Sequence, residues 1–233
     1  MIALSAARDQ PIPGRRSSNH PTRRRLLSTL ADRIVAGGAT RIGVDGVDGA
    51  GKTCFAEELT AHLQSSDHPV VHVSADGFHQ PRARRYRRGR DSPEGFWLDS
   101  YDYAALKTVL LEGFGPNGTG RYRDAVHDLA TDERLERPWR QVTAGTRLVV
   151  DGLFLHRDEL LAQWDFSVFL AVPFSVSMAR MAARDGGHLD PDHPSNHRYV
   201  GGQRRYFTAC EPWARATLVV DNSDLEHPRI VAG

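Results

Sequence analysis

Eight consecutive residues constrain this chain more than any others: Gly46-Val47-Asp48-Gly49-Ala50-Gly51-Lys52-Thr53, the pattern G-x-x-x-x-G-K-[ST]. An apolar run at 41–44 precedes them and an amphipathic stretch at 54–63 follows, so the motif sits where a strand turns into a helix. Glycines let the backbone wrap until successive N–H groups point at phosphate oxygens. The helix that begins near Lys52 adds the positive end of its dipole. Lys52 supplies a cation for the β- and γ-phosphates, and Thr53 offers a hydroxyl to a Mg²⁺ bridging the same oxygens. These residues predict a nucleotide site built from Gly46, Asp48, Gly49, Ala50, Gly51, Lys52, Thr53 and Cys54.

Beyond this loop the apolar residues come in short runs. Residues 41–44, 70–73, 147–150, 166–172 and 216–220 read as buried strands. Residues 54–63, 101–111, 156–163, 175–184 and about 198–210 carry helical spacing. So do residues 22–36, where a basic start, Arg23-Arg24-Arg25, leads into Leu26, Leu27, Leu30, Ile34 and Val35, and Gly37-Gly38 stops the helix. Strands alternating with helices predict an α/β fold, a five-stranded parallel sheet with helices on both faces. Residues 1–21, with Pro11, Pro13, Gly14 and Pro21, read as a flexible N-terminal tail ahead of one domain over 22–233. Residues 76–100 and 112–145 read as long loops of the functional or mobile kind.

The charges nearly cancel, 30 Lys+Arg against 29 Asp+Glu, which excludes a polycation and a wholly acidic chain. No apolar run is long enough for a membrane helix. Two cysteines without metal-site spacing suit a reducing cytosol. A guanine-reading Asn-Lys-x-Asp is absent; Asp221-Asn222-Ser223-Asp224 has the wrong order. Small size and Arg-rich loops favour a small-molecule kinase over a switch or a motor.

In open parallel sheets ligands bind beyond the carboxyl ends of the strands. Two carboxylates fall there: Asp76, after the second run, which is expected to lie beside the phosphate-loop strand, and Asp151, at the end of the third. Either can take the proton of an attacking hydroxyl or hold Mg²⁺, directly or through water. The candidate metal residues are therefore Thr53, Asp76 and Asp151.

Several further stretches resemble the uridine kinase-like branch of P-loop kinases, which includes uridine–cytidine kinase, phosphoribulokinase and bacterial pantothenate kinase. They are Asp76-Gly-Phe-His79, Ser92-Pro-Glu-Gly-Phe96, Asp99-Ser-Tyr-Asp-Tyr103, Val150-Asp-Gly-Leu-Phe-Leu-His156 and Trp164-Asp165. In wording the chain is most similar to actinobacterial proteins described as uridine kinases. The resemblance runs from about 41 to 222. It implies a P-loop NTPase fold and an ATP- and Mg²⁺-dependent kinase acting on a nucleoside-like hydroxyl. It implies that Asp76 is the catalytic base and that His79 replaces a tyrosine beside it. Asp151 takes the place of a Mg²⁺-serving Glu. Asp102 grips ribose hydroxyls, and Tyr122 and His127 contact the pyrimidine. Arg184-Asp185 opens a mobile lid over about 185–200.

Arg180 and Arg184 are four apart on a helix, so they share a face and could fork onto the transferring phosphoryl group. Arg198 follows as a lid residue that contacts substrate. The cluster Arg82, Arg84, Arg85, Arg87, Arg88 and Arg90 admits three readings: an anionic-acceptor or loop-ordering cluster, a solvated loop, or a nucleic-acid patch thin in aromatics. The partner expected is a small-molecule acceptor, without membrane or nucleic acid. Pantothenate-like acids, sugar phosphates and nucleoside natural products remain open as acceptors. So do a non-catalytic nucleotide binder and a homo-oligomer.

Overall fold

The structure is a computed structural model that describes residues 20–65 and 69–233. The tail expected over 1–21 falls, as far as residue 19, outside the described residues. Six strands form the main sheet: β1 (Arg41–Gly46), β2 (Val70–Ser74), β3 (Arg147–Asp151), β4 (Phe166–Ala171), β5 (Leu218–Asp221) and β6 (Arg229–Ala232). Their order is β6-β5-β4-β1-β3-β2. The first five are mutually parallel, as expected. The sixth is a correction: β6 runs antiparallel to β5 along the edge, with a bulge between Ile230 and Ala232. Its four residues are exposed or half-buried, and its apolar run, Ile230-Val231-Ala232, is only three residues long.

A second correction concerns neighbours. β3, not β2, lies beside β1. Val73 and Ser74 pair with Val150 and Asp151, so β2 is one strand further out. Asp76 therefore does not follow the strand adjacent to the phosphate loop; Asp151 ends that strand.

Every residue of β1 and β3 is buried, which is why both read as unbroken runs. Period-two alternation divides them between two cores. Ile42, Val44 and Val149 pack with Leu27, Leu30 and Ile34 of α1 (Pro21–Ala36) and Phe55, Leu59 and Leu63 of α2 (Lys52–Gln64). Leu148 and Val150 point to the other face, towards Phe78, Phe96, Leu106, Leu110, Phe154 and Tyr206. Each fully buried Leu or Phe contributes about 1.5–3 kcal/mol, so the two cores bind both helical layers to the sheet.

The long segments are more ordered than loops. Residues 76–100 contain α3 (Pro93–Asp99), started by Ser92, whose hydroxyl accepts the Gly95 N–H. Residues 112–145 form two short antiparallel pairs, 121–122 with 140–141 and 127–128 with 133–134. The helix expected over 156–163 shrinks to Asp158–Leu161. The lid expected over about 185–200 also divides. α4 (Phe174–Asp185) ends at Asp185, and α5 (His197–Cys210) begins at His197. Only 186–196 connects them, and Arg198 belongs to a helix packed on α3.

At the start of β1 and β4, Asp165 accepts hydrogen bonds from the Arg41 N–H (2.8 Å), the Thr40 hydroxyl (2.8 Å) and the Arg41 guanidinium (2.8 Å). Burial opposes ionisation, but these donors prevail and hold the carboxyl at about 2. A depressed carboxyl pKa contributes stability above the unfolded value near 4 and loses it as pH falls through about 2. Asp165→Asn is expected to lower stability by about 1 kcal/mol at pH 7, the size of a partly exposed ion pair. Melts from pH 7 to 2 should show a weaker acid dependence in the variant; an unchanged acid limb would count against the pairing.

Candidate active site

The turn between β1 and α2 needs backbone that only glycine adopts without strain. Gly49 has φ +73° and Gly51 +88°. A Cβ on Gly49 would stand 2.5 Å from the Ser177 carbonyl of α4, so the turn is also pressed against a helix. Lys52 opens α2 and rests its Nζ on the Val47 carbonyl at 2.9 Å. Cys54 lies in the next positions of the same helical turn, half-buried.

The turn is tied down from several sides. Asp45 is fully buried; its Oδ1 accepts the Gly46 N–H at 2.7 Å. Its Oδ2 accepts from the Leu155 N–H at 3.0 Å, the His156 ring at 2.8 Å and the Tyr206 hydroxyl. Gln203 of α5 grips Asp48 twice: its Oε1 accepts the Asp48 N–H (2.8 Å) and its Nε2 donates to the carboxylate (3.2 Å). Asn222, after β5, donates its amide to the Ala50 carbonyl at 2.7 Å. Sequence reading passed over Asp45 and Asn222 because their partners lie far along the chain.

Thr53 donates its hydroxyl to Asp151 Oδ2 at 2.7 Å, and His72 of β2 pairs with Asp151 Oδ1 at 2.8 Å. The structure thus brings two of the three expected metal residues, Thr53 and Asp151, into contact. Asp76 is not one of their partners and opens instead onto a cavity of about 360 Å³, a size suited to small molecules. Asp48, His79, Phe96, Tyr101, Asp185, His188 and Tyr199 also line it.

Asp76 follows β2 in the short turn Ala75–Phe78 and is exposed to the cavity. The Tyr101 hydroxyl donates to its Oδ1 at 3.1 Å, which leaves Oδ2 available. Burial, then Asp76, raises the Tyr101 pKa well above its usual value, so this phenol stays a donor. His79 bonds the Asp76 carbonyl through Nδ1 at 2.8 Å and stacks on Tyr101 with ring centres 4.3 Å apart. A carbonyl only accepts, so Nδ1 carries the proton and Nε2 is the acceptor of the neutral ring. Burial depresses the His79 pKa and favours that neutral form. Asp48 is shifted the other way: burial raises its pKa, Lys52 opposes, and Asp76 adds to the rise.

Other expected substrate residues are placed elsewhere. Asp102 accepts the Ala105 N–H at 2.9 Å as a helix cap and does not line the cavity. Tyr122 is buried in its hairpin with its ring 5.2 Å from Phe114. His127 is buried with Nε2 3.2 Å from Asp132. Neither lines the cavity, because the hairpin packs behind the 75–78 turn, where Val126 N–H donates to the Gly77 carbonyl. Arg198 is buried, donates to the carbonyls of Ser92 (3.1 Å) and Arg85 (3.1 Å), and does not line the cavity.

The expected arginine fork also divides. Arg180 donates to the carbonyls of Gly49 (3.3 Å), Asn222 (2.9 Å) and Ser223 (2.7 Å), at the back of the phosphate loop. Arg184 makes a two-pronged pair with Asp185 at 2.8 and 2.7 Å, half-exposed, within electrostatic reach of Asp48 and Asp76. In the arginine-rich stretch, Arg87 and Arg88 hold buried Asp99 at 2.5 and 2.9 Å, and Arg85 holds the Gln80 carbonyl at 2.8 Å. These guanidiniums order the loop. Among the described residues no arginine or lysine lines the cavity, and no three His, Cys, Asp or Glu side chains are gathered as a metal-ligand cluster. No described helix is long and apolar enough to cross a membrane.

The family model for the phosphoribulokinase / uridine kinase family matches residues 41–188, more than half of the chain. A chloroplastic uridine/cytidine kinase of Arabidopsis thaliana is 26% identical over 152 residues. That match covers 62% of this chain but only 29% of the relative's length. Among solved structures, a possible uridine kinase from Bacillus stearothermophilus superposes with a TM-score of 0.66 at 23% identity, covering 84% of this chain and 97% of that one. Phosphoribulokinase from Rhodobacter spheroides superposes with a TM-score of 0.53 at 15% identity, covering 84% and 77%. These likenesses show the P-loop kinase fold.

Gly49→Ala tests the turn directly. The left-handed φ and the 2.5 Å approach to Ser177 require either the loop or α4 to move. The variant is expected to lose about 1–3 kcal/mol of stability and to bind ATP poorly, measured by melting and calorimetric titration. Unchanged values would show that the turn does not depend on this glycine.

Proposed function

We propose that this chain, which belongs to the phosphoribulokinase / uridine kinase family, transfers the γ-phosphoryl group of ATP to a hydroxyl of an uncharged, nucleoside-like small molecule. One observation carries the reading. Asp76, held on one oxygen by Tyr101, opens onto a cavity that also reaches Asp48 of the phosphate loop and is lined by no arginine or lysine. A protein that only bound nucleotide would have no use for such a carboxylate. An acceptor bearing phosphate or carboxylate would face Asp48 and Asp76 across walls that carry no arginine or lysine, and the nearby Arg184 is already paired with Asp185. Each like-charge contact at about 5 Å costs about 3 kcal/mol at an effective dielectric of 20. The geometry therefore favours a neutral alcohol over sugar phosphates and pantothenate-like acids.

The residues present fit a nucleotide triphosphate with Mg²⁺. Gly49 and Gly51 take the left-handed backbone that a wrapped phosphate turn needs, and Thr53 with Asp151 forms a hard oxygen donor set suited to Mg²⁺. When bound, Mg²⁺ neutralises charge on the phosphate oxygens. Lys52 leaves the Val47 carbonyl for the phosphates and meets the charge that grows during transfer. His72 fixes the orientation of the Asp151 carboxylate. Asp76 Oδ2 accepts the hydrogen bond of the acceptor hydroxyl and takes its proton as the new P–O bond forms. Arg184 exchanges the Asp185 carboxylate for phosphoryl oxygens, a bidentate swap its planar group allows.

Lys52→Ala is expected to lower kcat about a hundredfold or more in a folded protein; near-normal turnover would refute this role. Asp76→Asn is expected to depress kcat strongly and leave ATP affinity nearly intact, because it keeps the shape and loses the base. Wild-type kcat in that variant would move the base elsewhere. A coupled ADP-release screen should respond to neutral nucleosides and not to sugar phosphates or pantothenate. The reverse pattern would overturn the assignment of the acceptor class.

A further inference from the structure

Arg23 begins as one of three consecutive arginines at the start of α1, the composition of a solvated helix end. It is instead 2% exposed, among the most buried large side chains of the protein. A buried guanidinium must be paired, because an uncompensated charge there is strongly unfavourable. Its Nε donates to Glu58 of α2 at 2.6 Å. Its Nη1 donates to Asn222 Oδ1 at 3.0 Å and to the Leu225 carbonyl at 3.2 Å. Asn222 in turn donates its amide nitrogen to the Ala50 carbonyl at 2.7 Å. Two hydrogen bonds therefore connect α1 to the phosphate loop. Neither Arg23 nor Asn222 lies in the span matched by the family model.

The connection has a directional consequence. In a trans peptide the C=O of one residue and the N–H of the next point opposite ways. Holding the Ala50 carbonyl towards Asn222 turns the Gly51 N–H to the other side of the loop. Gly51 has left-handed backbone and no side chain to restrain it. A Cβ there would stand 3.2 Å from Asn222 Nδ2 and 3.6 Å from Leu225, so the 222–225 segment is the wall that backs this peptide. Arg180 braces the same segment through the Asn222 and Ser223 carbonyls.

We propose that Arg23 is a positioning residue for nucleotide binding: through Asn222 it fixes the Ala50–Gly51 peptide, and helix α1 is thereby part of the nucleotide-binding apparatus. The inference rests on the phosphate loop binding ATP.

The test is calorimetric titration of the full chain with Mg-ATP, without acceptor, well below the melting temperature. Arg23→Gln and Asn222→Ala are each expected to weaken binding about tenfold, the scale of one lost hydrogen bond between buried groups. The double variant should be no weaker than the poorer single one, because both break the same path. Hydrogen exchange at the Gly51 amide should quicken in each variant. The acceptor KM should stay at the wild-type value, which a general loosening of the fold would not allow. If Arg23→Gln does not fold because Glu58 is left unpaired, Arg23→Met/Glu58→Gln removes both buried charges and gives the same reading. Wild-type ATP affinity in a folded Arg23 variant, or additive losses in the double variant, would overturn the proposal. A wild-type chain that binds no Mg-ATP would instead overturn the nucleotide reading, and this inference with it.

Discussion

A phosphate loop works only if its peptide groups are held in one orientation before any ligand arrives. The loop cannot do this for itself, because a turn that satisfied its own N–H groups would have none to offer. Here one bond lies within the loop, Ala50 N–H to the Val47 carbonyl at 3.0 Å, and the other restraints come from outside. Asp45 holds the Gly46 N–H, Gln203 holds the Asp48 N–H, and Asn222 holds the Ala50 carbonyl. Thr53 is tied to Asp151 just beyond. These partners come from β1, from α5, from the segment after β5 and from the end of β3. Assembly of the sheet and its helical layers therefore also sets the geometry of eight residues.

The near-zero net charge conceals a sharp local division. Most arginines around the acceptor side are bound to carboxylates or carbonyls of the protein itself, as Arg87 and Arg88 are to Asp99 and Arg198 is to the 85–92 loop. The cavity keeps the carboxylates of Asp48, Asp76 and Asp185 and is lined by none of those cations. Behind the phosphate loop the same use recurs: Arg23 and Arg180 turn their guanidiniums onto carbonyls of the 222–225 segment. Cation-rich sequence is thus used as internal bracing, and the open surface of the site carries the opposite charge.

Much of this was legible from local pattern. Five strands show as apolar runs, four because they are buried along nearly their whole length and β2, half-buried at the sheet edge, because its residues are mostly valine, and Asp76 and Asp151 fall at strand ends on that pattern alone. The edge strand β6 escaped it, since its apolar run is only three residues long. Strand order escaped it as well. Nothing in residues 70–76 reveals that β3 inserts between β2 and β1, because pairing depends on a segment more than seventy residues later. Asp102, Tyr122 and His127 matched a family spacing, yet the first serves as a helix cap, the second packs in the core beneath the sheet and the third is buried against Asp132.

The amino-acid sequence by itself determined the phosphate loop, the parallel α/β architecture and the family. These rest on contiguous residues or on periodicities of two and 3.6, which act over a few positions. Tertiary structure alone decided what each arginine holds and which carboxylates open onto the cavity. A guanidinium on a long side chain can find a partner in many directions, and its choice is made by groups that folding brings near. Arg23 and Asn222 are 199 positions apart along the chain and 3.0 Å apart in space. Burial makes that single partnership obligatory, because no water remains there to satisfy either group.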